Sequence, residues 1–474
     1  MSALAGTGAL VRLALRRDRV ILPIWVLLLG GIPIVYASSI AELYPTAAAR
    51  AELAAVTATN TSQIAMLGPI FGDSLGALTA WRSGILMLGV AMAALFTVIR
   101  HTRADEEAGR SELLGATVVG RLAPVTAALT VAFAGALAVA AVATVGLIGA
   151  GLPAAGSLQL GLAMAVPGLA FAAVAAAAAQ LTEAARPARG LALAALGGAY
   201  LLRAAGDTSV DAFWLSWLSP LGWAQQARPF AGFRPSAFAL AAVFTVVLVA
   251  GALALAARRD LGAGLLPARP GPAAAAPGLR TPLALAWRLH RGALAGWVAG
   301  FAVLGAVLGG ATRGAVAQLG DSEELRELMG RLGGGAGGQL ETVYLAAILS
   351  FFGLAAAGFA VQATLRLRGE ETAQRLEPLL ATATGRLAWA SSHLVFALLG
   401  PALALLAAGL GAGVAYGLGT GELGNRLPGA VGGALVQLPA VWVLAGLAVA
   451  LFGLLPRLTA ASWAVLVTCI VLGQ

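Results

Sequence analysis

Residues 101–123 read HTRADEEAGRSELLGATVVGRLA, and residues 366–388 read RLRGEETAQRLEPLLATATGRLA. Laid over each other without a gap, at a shift of 265 residues, they agree at 12 of 23 positions. The retained set includes Arg103/Arg368, Glu106/Glu371, Arg110/Arg375, Glu112/Glu377, Thr117/Thr382 and the run Gly120–Ala123/Gly385–Ala388. Two copies of one charged segment in a very apolar chain imply a duplicated membrane module that keeps this segment outside the bilayer.

The apolar character is measurable. The chain is 59% hydrophobic and 11% charged, with a mean hydropathy of +0.88, whereas soluble domains carry about 25% charged residues. The expected fold class is therefore an all-α polytopic membrane protein. Ala and Gly supply much of the apolar count, which weakens each span's score but suits helices that pack closely.

All 30 basic residues are Arg, and Lys is absent. A P-loop needs its Lys for phosphate and Schiff-base chemistry needs a Lys amine, so both are excluded. No cofactor is expected in this chain, and any ATP and Mg must be bound by another. The net charge of +9 is explained by positive-inside topology, with no nucleic-acid partner. The single Cys469 excludes disulfides and a Cys metal site. His101, His290 and His393 lie far apart near predicted span ends, with no ligand spacing among them, and read as interfacial residues rather than metal ligands.

Apolar runs of spanning length, about 20 residues, fall near 20–40, 77–99, 123–150, 158–181, 188–203, 236–257, 293–312, 342–365, 389–416, 428–455 and 458–473, about eleven spans. The first is expected to be a retained span rather than a cleaved signal, because residues 13–25 recur in part at 285–297, with Arg16/Arg288, Arg19/Arg291 and Trp25/Trp297 in register. With a cytoplasmic N-terminus, 21 Arg residues fall inside and nine outside, as the positive-inside rule requires. The modules are expected at 1–263 and 282–474, joined by a Pro/Gly-rich cytoplasmic linker at 264–281. Six spans return the chain to its starting side, so the repeats are parallel. Matching Arg186 to Arg457 leaves residues 204–257 without a counterpart; the second module is expected to lack its outer segment and last span, as a fragment would.

Leu10–Arg19 and Leu283–Arg291 each place Arg on one side and Leu, Ala or Trp on the other. Either segment is a helix lying on the inner surface or the positive flank of the next span. Within the repeated segment, Glu106/Arg110 and Glu371/Arg375 have the i,i+4 spacing of a helical ion pair. Glu112 with Leu113, and Glu377 with Leu379, add acidic and apolar groups. Retention of this pattern while the surrounding apolar sequence drifted points to a docking surface rather than a solvated helix.

The order of basic surface segment, two spans, an inner E-x-x-x-R-x-E-L loop, three spans, an aromatic outer segment and a last span resembles the permease of type-2 ABC transporters. It is most similar to the doubled form in actinobacterial exporters of polyketide antibiotics (tetronasin-type). The resemblance covers essentially the whole chain and is most specific in the two inner loops and in WLSWLSPLGW (214–223). It implies that each inner loop is a coupling helix seated in a groove of a separate ABC ATPase subunit, present in two copies. The implied coupling residues are Glu106, Arg110, Glu112 and Leu113, then Glu371, Arg375, Glu377 and Leu379. Pro378 stands where the first copy has Leu113, which implies a different geometry there.

Trp214, Trp217 and Trp223 read as an interfacial anchor or, more sharply, as an outer aromatic gate. The acidic stretch Asp321–Glu327 reads as a solvated outer helix face. Gly333–Gly338 reads as a flexible outer loop, since it has neither the Lys nor the strand of a phosphate cradle. No span carries Asp or Glu near its centre, which argues against ion coupling. An intramembrane enzyme would need a nucleophile, metal cluster or carboxylate pair that the spans lack. The expected protein is the permease subunit of an ATP-driven exporter of hydrophobic or amphiphilic compounds. It sits in the lipid bilayer of the bacterial cell membrane; the alternative is an ion-coupled secondary transporter with parallel repeats.

Overall fold

In a bilayer every backbone N–H and C=O must find its partner within the protein, so long Ala-, Leu-, Val- and Gly-rich runs fold as helices. The structure, a computed structural model, describes residues 2–115, 117–209, 211–260, 262–266, 273–320, 336–459 and 461–472. The described residues contain helices and no strand. Among them, nine helices are long and apolar enough to cross a membrane. The chain divides into two units, Met1–Gly271 and Pro272–Gln474.

The first unit begins with α1 (Thr7–Arg17) and α2 (Ile21–Leu43), followed by α3 (Ala47–Thr59), α4 (Thr61–Leu67) and α5 (Leu75–Arg82). Then come α6 (Gly84–His101), the short α7 (Arg103–Glu107) and α8 (Arg110–Gly115), α9 (Ala123–Gly149), α10 (Ala154–Leu181) and α11 (Ala185–Asp207). A 3-10 turn (Phe213–Leu218), α12 (Pro220–Gln226) and α13 (Pro235–Ala256) complete it. The most buried span is α10, which packs against α6, α9, α11 and α13. Small residues permit the approach: a Cβ on Gly161 of α10 would stand 2.5 Å from the Ala140 carbonyl oxygen of α9.

The second unit holds α14 (Pro282–Gly320), α15 (Ala336–Thr372), α16 (Glu377–Leu380), α17 (Arg386–Thr420), α18 (Leu423–Leu435), α19 (Leu438–Leu454) and α20 (Ala461–Leu472). Its main contact is α14 on α17, where Gly305 and Gly309, one turn apart, face the backbone of Ala408 and Ala412. A Cβ at either glycine would lie 2.4 Å from a carbonyl oxygen.

Several expectations are corrected. The run 188–203 belongs to α11, a 23-residue helix whose own charges, Arg186, Arg189, Arg203 and Asp207, keep it below the apolarity of the other spans. The run 458–473 contains a 3-10 turn and a 12-residue helix. The second basic segment, Leu283–Arg291, is the opening of α14 and so the flank of a span, whereas its counterpart α1 is a separate helix. Residues 264–266 are held in the first unit, because the Leu265 and Leu266 amides donate to the Gln180 and Leu181 carbonyls (3.2 and 2.8 Å). Ala336–Gly338 opens α15, while the expectations for Asp321–Glu327 and Gly333–Gly335 lie outside the described residues.

Candidate functional site

One end of the first unit gathers most of its charge. The turn after α6 begins at Thr102, whose hydroxyl donates back to the Val98 carbonyl at 2.7 Å. A left-handed Gly109 (φ 70°) then separates α7 from α8. Ahead of that break, the rotation of successive residues along α7 sends three acids, Asp105, Glu106 and Glu107, to three different elements.

Asp105 accepts both terminal nitrogens of Arg17 (2.7 and 3.1 Å), which ties α1 to the loop. That hydrogen bond holds the Arg17 guanidinium above its ordinary pKa. Glu106 accepts from Arg103 (2.8 Å) and from Arg259 just beyond α13 (2.9 Å). Arg103 is 0% exposed and also donates to the Ala179 carbonyl at 2.9 Å. It thereby satisfies one of the carbonyls left open at the C-terminus of α10, where a cation is favoured. Arg259 reaches the buried Gln180 at 2.6 Å. Glu107 accepts the Ala185 amide at 3.0 Å, supplying a carboxylate to the N-terminus of α11. Beneath them, Asp18 joins Arg100 (2.7 Å) and His101 (2.8 Å).

The expected Glu106/Arg110 pair is replaced. Arg110 bonds Asp105 at 2.9 Å instead, because Gly109 breaks the helix whose i,i+4 register the pairing required. Glu106 is turned inward, its side chain only 10% exposed. What faces outward is α8: Arg110, Glu112 and Leu113 are exposed, Leu113 by 76%.

The second loop repeats the plan with weaker anchoring. Arg368 pairs with Glu371 at 3.4 Å, and Arg375 pairs with Glu370 at 3.9 Å. Glu371/Arg375 therefore shifts partners just as Glu106/Arg110 does. The left-handed residue is again present, at Gln374 (φ 56°), which aligns with Gly109. Leu376 is buried beside Leu367 and Trp389, and Leu379 packs on them. Glu377 is exposed at the start of α16. Pro378 is accommodated in the first turn, where its missing N–H removes no helical hydrogen bond.

The three tryptophans separate. Trp214 is 61% exposed and Trp217 half-buried. Trp223 is a core residue that donates to the Trp217 carbonyl (2.6 Å) and meets Phe244 edge-on. Nearby, the buried Arg203 donates to the Ala65 carbonyl (2.7 Å) and lies over the Tyr200 ring. The sequence counted Arg203 only as an outer charge; its position within a long, otherwise apolar stretch was the signal for a structural role. His101, His290 and His393 are likewise buried and partnered rather than interfacial, His290 and His393 through ring nitrogens 3.0 Å apart.

Comparison with known proteins follows the same division of the chain. A family model described as "Multidrug efflux system permease Rv1217c, C-terminal domain" matches residues 279–474. The multidrug efflux system permease protein Rv1217c of Mycobacterium tuberculosis is 48% identical over 473 residues, covering 99% of this chain and 85% of that protein.

Proposed function

Because the chain belongs to the family of the multidrug efflux system permease Rv1217c, we propose that it is the membrane-spanning subunit of an ATP-driven exporter. Its cargo is a hydrophobic or amphiphilic compound such as a drug, and a separate ABC ATPase, in two copies, binds ATP and Mg. The arginine-rich end of each unit faces the cytoplasm of a bacterial cell. The observation that carries this reading is the twice-built loop. In each unit an acidic residue pairs with an arginine three residues earlier, a left-handed residue turns the chain, and a short helix presents Glu112 or Glu377 outward.

In this mechanism the inward acids transmit and the outward residues receive. An ATPase pair closing on ATP pushes Glu112, Leu113 and Glu377, and Leu379 carries the second loop's displacement onto Leu367 and Trp389. Asp105, Glu106 and Glu107 pass the displacement to α1, to the ends of α10 and α13, and to α11. The test uses the chain purified with its ATPase, carrying Glu112→Arg and Glu377→Arg. Drug-stimulated ATP hydrolysis is expected to fall at least tenfold, roughly the loss of two charge-assisted contacts. Unchanged stimulation in the double variant rules these loops out as the coupling surface.

A further inference from the structure

The arginine-rich end of the first unit encloses a cavity of about 350 Å³, within the roughly 300–1,000 Å³ typical of small-molecule sites. Its lining mixes apolar side chains, Leu10 and Leu13 from α1 and Val125 from the first turn of α9, with the charged Arg17, Arg121, Arg259, Asp105, Glu106 and Asp260. A cavity of mixed apolar and charged lining, placed where α1, α9 and α13 begin or end, suits an amphiphile lying at head-group depth.

The pairing pattern gives the sign of its head group. Asp105 is bridged by two arginines, Arg17 and Arg110 (2.7 and 2.9 Å), and Glu106 by two more, Arg103 and Arg259 (2.8 and 2.9 Å). Arg121 has the Arg259 carbonyl as acceptor (2.5 Å) and no carboxylate partner among the described residues. Its remaining donors are directed by a fixed backbone: Gly120 and Leu122 donate to the Ala5 and Ala3 carbonyls (2.8 and 3.0 Å). A Cβ on Gly120 would stand 2.3 Å from the Ala3 oxygen. The N-terminal segment thus clamps the residues on both sides of Arg121.

We propose that this cavity is a binding site for an anionic phospholipid. The phosphodiester sits at Arg121, and the first methylenes lie along Leu10, Leu13 and Val125. An anion there answers Arg121, the lining arginine that lacks a carboxylate, while Asp260, the lining acid without an ion pair among the described residues, is exposed; the lipid supplies that anion from the adjacent leaflet.

Native mass spectrometry of the full chain, released from micelles doped with phosphatidylglycerol or phosphatidylcholine, tests this. Wild type is expected to retain one phosphatidylglycerol in preference to phosphatidylcholine. Arg121→Ala should lower that preference about fivefold, the worth of one arginine at an anionic surface, while Arg121→Lys keeps most of it. Leu13→Trp, which fills the cavity from a partly exposed position, should displace the lipid without removing charge. Arg386→Ala makes the same change at the matching exposed position of the second unit and should leave retention unaltered. Equal retention of the two lipids, no effect of Arg121→Ala, or an equal effect of Arg386→Ala overturns the proposal.

Discussion

Glu106 and Glu371 hold the same position in the repeated segment but differ in what depends on them. Glu106 neutralises Arg103, which is fully buried, and Arg259, which is nearly so. Glu371 meets Arg368 at 3.4 Å with both side chains a quarter or more exposed. Breaking a buried ion pair by removing one partner costs roughly 3–5 kcal/mol, while an exposed pair is worth about 0–1 kcal/mol. Glu106→Gln should therefore lower the thermal unfolding midpoint of the purified chain markedly, and Glu371→Gln should barely move it. Equal shifts would show that the Arg103–Glu106–Arg259 cluster is not a buried anchor. The repeat made Glu106 conspicuous in the sequence, yet its direction was not legible there. Helical spacing proposed Arg110 as its partner, whereas its second partner, Arg259, lies 153 residues away. Only the folded ends of α10 and α13 bring that arginine in.

At the scale of elements, the break between α7 and α8 decides which residues face outward. Left-handed backbone costs an L-residue roughly 1–2 kcal/mol and costs glycine almost nothing. The first loop has Gly109 there (φ 70°), but the second bears the same turn on Gln374 (φ 56°). Gln374→Gly should stabilise the chain by up to about 1 kcal/mol, and Gly109→Ala should destabilise it by about 1 kcal/mol or more, both read as shifts in the denaturant or thermal midpoint. Opposite signs at aligned positions are the mark of a shared turn; a stabilising Gly109→Ala would contradict it. The spans themselves were largely legible, because runs of 20 apolar residues leave the backbone one option. The errors fell where apolarity and helicity part company. α11 stays helical through Arg186, Arg189 and Arg203. α14 runs unbroken through Leu283–Arg291, which the sequence allowed either to lie flat or to flank the span. There His290 stands at the register of Asp18, the residue that ends α1 and turns toward Arg100 and His101.

For the whole molecule, the sidedness rests on an arginine count of 21 against nine, and the structure qualifies what that count means. Arg103 and Arg259 are spent on internal carboxylates and carbonyls, and Arg203 is buried at the other end of its helix. These three are structural charges as much as topological ones, so the rule needs an independent check. The chain offers a clean one, since Cys469 is its single cysteine. In a Cys469→Ser background, one cysteine at a time can replace Glu112, Glu377, Glu52 or Glu422, all exposed. A membrane-impermeant maleimide applied to intact cells should label positions 52 and 422 and spare 112 and 377 until the membrane is opened. Labelling of 112 in intact cells would place the arginine-rich end of the first unit outside and leave an ATPase no access to α8. Labelling of 377 alone would make the second repeat inverted rather than parallel. That outcome would overturn the proposed coupling, because an ATPase pair requires both loops on its own side of the membrane.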